Sequence, residues 1–286
     1  MWRREVAGIS FANPLLLASG TAGFGRELDG VVALDRLGGL VTKAVSLLSR
    51  DGNRPPRVAE FRGGMLNSVG LANPGVARVR EADMPWLAAH LTRCRVLVNI
   101  VGFTPGEYAE VIAQLDGAGP HVAYELNLSC PNTAAGGAEF GAEPRSVAEV
   151  VSRCRKATRL PLFAKLSTAL PDIPALAVAA HEAGADGVTL VNTMPGLLYD
   201  GATRRLGHGN GGVSGPALLA VGLLAVRRVV ERLPGVPVIG VGGVRSAADL
   251  RQYLEAGASL VAVGTAALAD PRLPERILDE LESSGG

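Results

Sequence analysis

The densest run of chemically capable side chains is Glu125-Leu-Asn-Leu-Ser-Cys-Pro-Asn132. Cys130 follows an apolar stretch and is bracketed by Asn127 and Asn132, whose carboxamides donate and accept at once. A cysteine in such a polar loop can serve as a nucleophile or as a general base. No histidine lies in the segment, and His90, His121, His181 and His208 fall mostly on predicted helices or loops. That distribution speaks against a Cys/His protease.

Lysine is scarce. Of the 28 Lys and Arg residues only Lys43, Lys156 and Lys165 are lysines. Lys43 and Lys165 end apolar runs, where an ammonium must stay hydrated or meet an anion; Lys156 falls on a predicted helix and reads as surface. Ser19, Asn99, Asn127 and Asn192 also stand at or near the ends of apolar runs. Together with Asn67 and Asn132, these asparagines suit a ligand edge of alternating N–H and C=O groups, although asparagine also simply ends strands and stabilises turns. Glycine turns, Val241-Gly-Gly-Val244 and Val263-Gly-Thr265, follow the last two runs and let backbone N–H groups approach an anion at a helix start. A GxxxxGK[ST] loop, an HExxH pair and a GxSxG elbow are all absent from the sequence, which excludes the phosphate-loop, zincin and serine-hydrolase patterns.

The elements that must carry these residues alternate. Short Val-, Leu- and Ile-rich runs at 15–19, 39–43, 96–100, 123–127, 162–166, 187–191, 238–241 and 260–263 predict eight strands. Helices are predicted between and after them at 28–37, 75–91, 105–115, 147–157, 174–183, 217–233, 247–256 and 274–282, with start signals such as Ser146 and Ser246 and stops such as Gly184 and Gly257. Runs such as VLVNI and VTLVN are apolar on both faces, as strands of a parallel sheet must be. The pattern predicts an α/β fold, a closed (β/α)₈ TIM barrel, with a doubly wound open sheet as the alternative. Three long connections, 46–74, 130–145 and 194–216, each follow a strand and so rise from the C-terminal face, where they would roof one pocket.

Composition narrows the rest. The chain has 286 residues, 48% of them hydrophobic and 19% charged, enough to bury one large core, and the reading is a single domain over 1–286. A net charge of +1 supplies no field for nucleic acid or an anionic membrane. Cys94, Cys130 and Cys154 show no CxxC spacing, so no metal site is expected and a reducing, cytoplasmic location fits.

From ELNLSCPN outward the sequence resembles the class 1 dihydroorotate dehydrogenases over nearly its whole length. In family order stand LLLASGT at 15–21, VTKAVS at 41–46, GNRPPR at 52–57, MLNSVGLANPG at 65–75, VNI at 98–100, AKLS at 164–167, VNT at 191–193, SGPA at 214–217, VGGV and VGTA. The resemblance implies a (β/α)₈ barrel that binds FMN and oxidises dihydroorotate to orotate in pyrimidine biosynthesis. By position, Cys130 would be the base. Lys43, Asn67, Ser68, Val69, Gly70, Leu71, Asn127, Asn132, Asn192 and Thr193 would hold the substrate. Ser19, Lys43, Ala44, Asn99, Asn127, Lys165, Val191, Gly215, Gly242, Gly243, Gly264 and Thr265 would hold FMN, with Lys165 stabilising charge on the reduced ring. The loop NTAAGGAEFG is similar to the B type, whose partner subunit carries FAD and a [2Fe-2S] cluster and passes electrons to NAD. A homodimer, extended by that subunit to a heterotetramer, is implied. The alternatives are a homodimeric A type reducing fumarate, a flavin-free barrel acting on a phosphorylated substrate, and a non-catalytic subunit. One departure is SGPALLA, where Leu219 and Ala220 replace the Lys-Pro common in the family.

Overall fold

The computed structural model describes residues 2–128, 131–132, 138–167 and 172–283. Eight parallel strands close into a barrel: Leu15–Leu17, Gly39–Val41, Arg95–Ile100, Ala123–Asn127, Leu162–Leu166, Gly187–Leu190, Val238–Val241 and Leu260–Val263. Each pairs with its neighbours in chain order, and the eighth returns to the first through Val261 opposite Leu15. This is the predicted (β/α)₈ barrel, and closure rules out the open sheet.

Period-two alternation explains the apolar runs. Outward residues such as Tyr124 and Leu126 pack under the helix Pro105–Leu115 through Tyr108, Val111 and Ile112. Inward residues, among them Leu16, Val41, Leu97, Phe163, Ile239 and Leu260, fill the barrel itself. A feature the periodicity did not signal closes the N-terminal end: a hairpin, Arg4–Val6 with Ile9–Phe11, buries Val6, Ile9 and Phe11 in that same interior cluster. Arg95 Nε donates to Ser10 O at 2.9 Å and ties the hairpin to the third strand.

Two predicted helices, Pro105–Leu115 and Ala247–Ala256, have the expected bounds, the second capped by Ser246 accepting from Asp249 N. The helix expected at 28–37 is not formed. Two single turns of 3₁₀ helix, Arg26–Leu28 and Leu34–Arg36, stand there, because Gly25 and Gly30 take left-handed φ values and interrupt any longer ladder. Ser146 is not a cap: its helix starts earlier and runs Pro144–Ala157. The helix expected at 75–91 carries a π segment, Val79–Asp83, between Val76–Arg78 and Met84–His90. A short helix, Thr265–Ala269, precedes the last one, Leu273–Ser283.

The long connections after the second and sixth strands do roof the C-terminal face, and they do so as one antiparallel sheet. Val58–Phe61 pairs Gly64–Asn67, which pairs Asn210–Ser214, which pairs Met194–Leu197. Of the third, Pro131–Asn132 pairs Ala138–Glu139. Among the described residues no helix is long and apolar enough to cross a membrane.

Candidate active site

Inward positions change character halfway up the barrel. On the fourth strand the sequence of inward residues is Ala123, Glu125, Asn127, and register places Glu125 level with Asn99 on one side and Phe163 on the other. Lys165 is level with Asn127 and with Thr189. Strands three to six therefore contribute Asn99, Glu125, Lys165 and Thr189, all buried, while the other strands present Ala18, Val41, Val241 and Ala262 to the same interior. One wall of the barrel mouth is polar and the opposite wall is apolar.

Burial of such groups demands partners. Asn99 Nδ2 donates to Glu125 Oε1 at 2.7 Å, and Lys165 Nζ stands 3.5 Å from the same oxygen. Glu125 is 1% exposed and Lys165 7%. Two atoms of the wall, Asn99 Oδ1 and Thr189 Oγ1, have no hydrogen-bond partner among the described residues.

Beside Lys165, Asn127 accepts at Oδ1 from Asn192 Nδ2 at 3.3 Å, and Asn192 Oδ1 accepts from Thr193 N. Tyr108, from the helix outside the barrel, donates its hydroxyl to Asn127 O at 2.7 Å and holds the end of the fourth strand. Lys43 is half-buried at the end of the second strand and makes no ion pair among the described residues. Asn67 reaches from the roof sheet, where its Nδ2 donates to Gly212 O. Ser68 accepts at Oγ from Asn53 Nδ2 at 2.7 Å, which fastens the loop through Val69, Gly70 and Leu71 to the GNRPPR segment.

The apolar side ends in glycine. Gly242 and Gly243 have φ of +126° and +75°, and a Cβ on Gly243 would lie 2.5 Å from Leu219 N. Only glycine leaves this turn open at the start of the helix Leu218–Arg232 and the seventh strand's end. Thr265, after the eighth strand, donates to Ser214 Oγ at 2.8 Å and links that turn to the roof. Ser19 donates to Thr42 O at 2.8 Å between the first two strands.

A family model for dihydroorotate dehydrogenase matches residues 1–284. The chain belongs to the dihydroorotate dehydrogenase family. Relatives include a protein of Pelobacter propionicus, 42% identical over 97% of this chain and 91% of its own, and one of Desulforudis audaxviator, 44% identical over 97% and 90%. Both are named dihydroorotate dehydrogenase B (NAD(+)), catalytic subunit. A protein of Solibacter usitatus, 44% identical over 96% of this chain and 90% of its own, is provisionally named dihydroorotate dehydrogenase A (fumarate).

Dihydroorotate dehydrogenases are flavin-dependent oxidoreductases, and FMN is typical of the catalytic chain. The residues present fit such a group. A flavin ring offers alternating N–H and C=O edges, which the unpartnered Asn99 Oδ1 and Thr189 Oγ1 and the Lys165 ammonium can answer, and its phosphate needs an open glycine turn such as Gly242-Gly243.

Ser19, Lys43, Ala44, Asn99, Asn127, Lys165, Val191, Asn192 and Thr193 all stand on inward residues or strand ends of this dihydroorotate dehydrogenase barrel's C-terminal half. Gly242, Gly243, Gly264 and Thr265 follow the last two strands, and Asn67 to Leu71 and Gly215 come from the roof. Cys130 lies outside the described residues, and of Asn132 only its backbone pairing with Ala138 is described. Sequence reasoning included Glu125 in the ELNLSCPN run without giving it a role, and passed over Thr189 and Tyr108. A carboxylate inside the otherwise apolar run AYEL was the available signal for Glu125; nothing local marked the other two. Two surface clefts of about 380 and 330 Å³ share Arg36 and Arg93, the first also bordered by Trp2 and Asn13, and neither includes a predicted site residue.

Proposed function

We propose that this chain oxidises dihydroorotate to orotate at the barrel mouth and passes the electrons to NAD through a partner subunit. The observation that carries the proposal is the buried Asn99–Glu125–Lys165 wall, with Asn127 level with Lys165 on the neighbouring strand and bonded to Asn192. Its flavin-answering atoms and its paired carboxamides come from adjacent strands, so the residues that would hold cofactor and substrate share one end of the barrel.

FMN, when bound, supplies a two-electron acceptor for the hydride from C6 of the substrate. Cys130 would take the C5 proton, the chain's share of the proton and hydride that must leave for the C5–C6 double bond to form. A thiolate matched to the working pH is a competent base for this. Asn127, Asn192, Asn67 and Asn132 bind the cyclic ureide, whose N–H and C=O groups match carboxamides. Lys43, half-buried with no ion pair among the described residues, supplies the cation for the substrate carboxylate. Lys165, buried in the polar wall, would hold positive charge toward bound FMN and favour its electron-rich reduced form.

Support for the B type comes from the NTAAGGAEFG loop and from the names of the Pelobacter and Desulforudis relatives. The three cysteines of the sequence are too few to ligate a [2Fe-2S] cluster, and Cys94 and Cys154 are buried, so FAD and the cluster belong on the partner. The Solibacter relative favours a second reading, a fumarate-reducing A type that needs no partner. Anaerobic mixing of the FMN-loaded chain with dihydroorotate tests the first half-reaction: flavin absorbance bleaches, and a persistent oxidised spectrum overturns the proposal. Turnover with NAD only after addition of an iron–sulfur flavoprotein subunit, and none with fumarate, identifies the B type. Fumarate turnover by the chain alone identifies the A type.

A further inference from the structure

Glu125 is the one carboxylate among the inward barrel residues described, and the polar partners it has among the described residues are Asn99 and Lys165. Its Oε1 receives both Asn99 Nδ2 at 2.7 Å and Lys165 Nζ at 3.5 Å, at 1% exposure. Two consequences follow from chemistry. A carboxylate only accepts, so it draws the NH₂ end of the Asn99 amide toward itself and leaves Oδ1, unpartnered among the described residues, as the face offered to a ligand. A buried carboxylate beside a buried ammonium also offsets much of the positive charge that Lys165 would otherwise exert on a redox group, and does so at low dielectric where the effect is strong.

We propose that Glu125 is a positioning residue that sets the reduction potential of the bound FMN, by restraining the Lys165 charge and fixing Asn99 as an acceptor. The proposal rests on FMN occupying this wall. Glu125 holds the ratio of affinities for reduced and oxidised cofactor below what Lys165 alone would produce. Lys165 raises the affinity for the electron-rich form, and Glu125 limits that gain. A residue with a merely structural role would weaken both redox states alike and leave the ratio unchanged.

The test is the midpoint potential of protein-bound FMN, measured by dye-mediated titration of the purified holoprotein. Glu125→Gln keeps the shape and removes the charge. Its affinity ratio for reduced over oxidised FMN is expected to rise at least tenfold, about 30 mV for a two-electron couple. A ratio within twofold of wild type, with FMN bound, overturns the proposal. Should Glu125→Gln not fold, Lys165→Met and the Lys165→Met/Glu125→Gln double variant, which leaves no unpaired charge, decide the matter. The double variant is expected to have the higher ratio, and equal ratios overturn the proposal. A wild-type chain that takes up no FMN defeats the placement of the cofactor instead, a result visible before any variant is made.

Discussion

Asn192, just beyond the sixth strand, donates through Nδ2 to Asn127 Oδ1 at the end of the fourth, across the Lys165 strand that separates them in the barrel. Because Asn192 Oδ1 also accepts from Thr193 N, the Asn192 carboxamide is oriented before a ligand arrives, and Tyr108 fixes the strand end that carries its partner through the main-chain carbonyl of Asn127. Preorganised donors of this kind cost no rearrangement on binding.

Asn192→Ala is expected to lower kcat/KM for dihydroorotate about 10- to 100-fold, the effect of losing one or two polar contacts worth about 1–3 kcal/mol. Oxidised FMN affinity should change far less. Steady-state kinetics beside a fluorescence titration with FMN separates the two; equal losses in both would remove Asn192 from substrate binding.

Cys130→Ala is expected to keep FMN and lose about 10²- to 10⁴-fold in the rate of flavin bleaching by dihydroorotate near neutral pH. Cys130→Ser should recover activity only toward alkaline pH, because a hydroxyl gives up its proton far less readily than a thiol. Stopped-flow reduction across a pH series reads both. Wild-type bleaching by the alanine variant contradicts the assignment of the base.

Gly243→Ala places a Cβ 2.5 Å from Leu219 N at a φ of +75°, where an L residue is strained. If the turn holds the FMN phosphate, affinity for FMN falls about tenfold or more while affinity for riboflavin, which lacks the phosphate, stays near wild type. Parallel titrations with the two flavins make the comparison, and an equal loss for both flavins counts against a phosphate site there.

Asp35 reports on the scaffold. Burial pushes its carboxyl up, but the amides of Cys94, Arg93 and Thr92 and the Thr92 hydroxyl outweigh it and bring it down to about 2. A carboxyl lowered on folding stabilises the protein above its unfolded value of 3.8 and loses that contribution as pH falls toward about 2. Asp35→Asn is expected to cost about 1 kcal/mol at pH 6, a figure reduced for the group's partial exposure, and to cost less at pH 3. Urea melts at the two pH values give the difference; an equal cost at both would show that the carboxylate charge contributes nothing.

The eight runs, their helices and the glycine turns were legible because each is written locally. An apolar run buried on both faces, a Ser246 that caps, or a Gly-Gly turn announces itself within a few residues. The failure at 28–37 was local too: Gly25 and Gly30 outweighed an apolar spacing that otherwise suits a helix. The N-terminal hairpin was missed because its two strands are only three residues each, too short to show a period.

From sequence alone came the alternation that makes a barrel and the ordered motifs, ELNLSCPN foremost, that mark the family. Tertiary structure decided that the sheet closes, that the connections after the second and sixth strands pair Leu66 with Val213, and that Glu125 stands between Asn99 and Lys165. Those partners lie 26 and 40 positions from Glu125 along the chain. Periodicity records which side of an element is buried, whereas the partner a buried charge must find is set by barrel register, which no single segment contains.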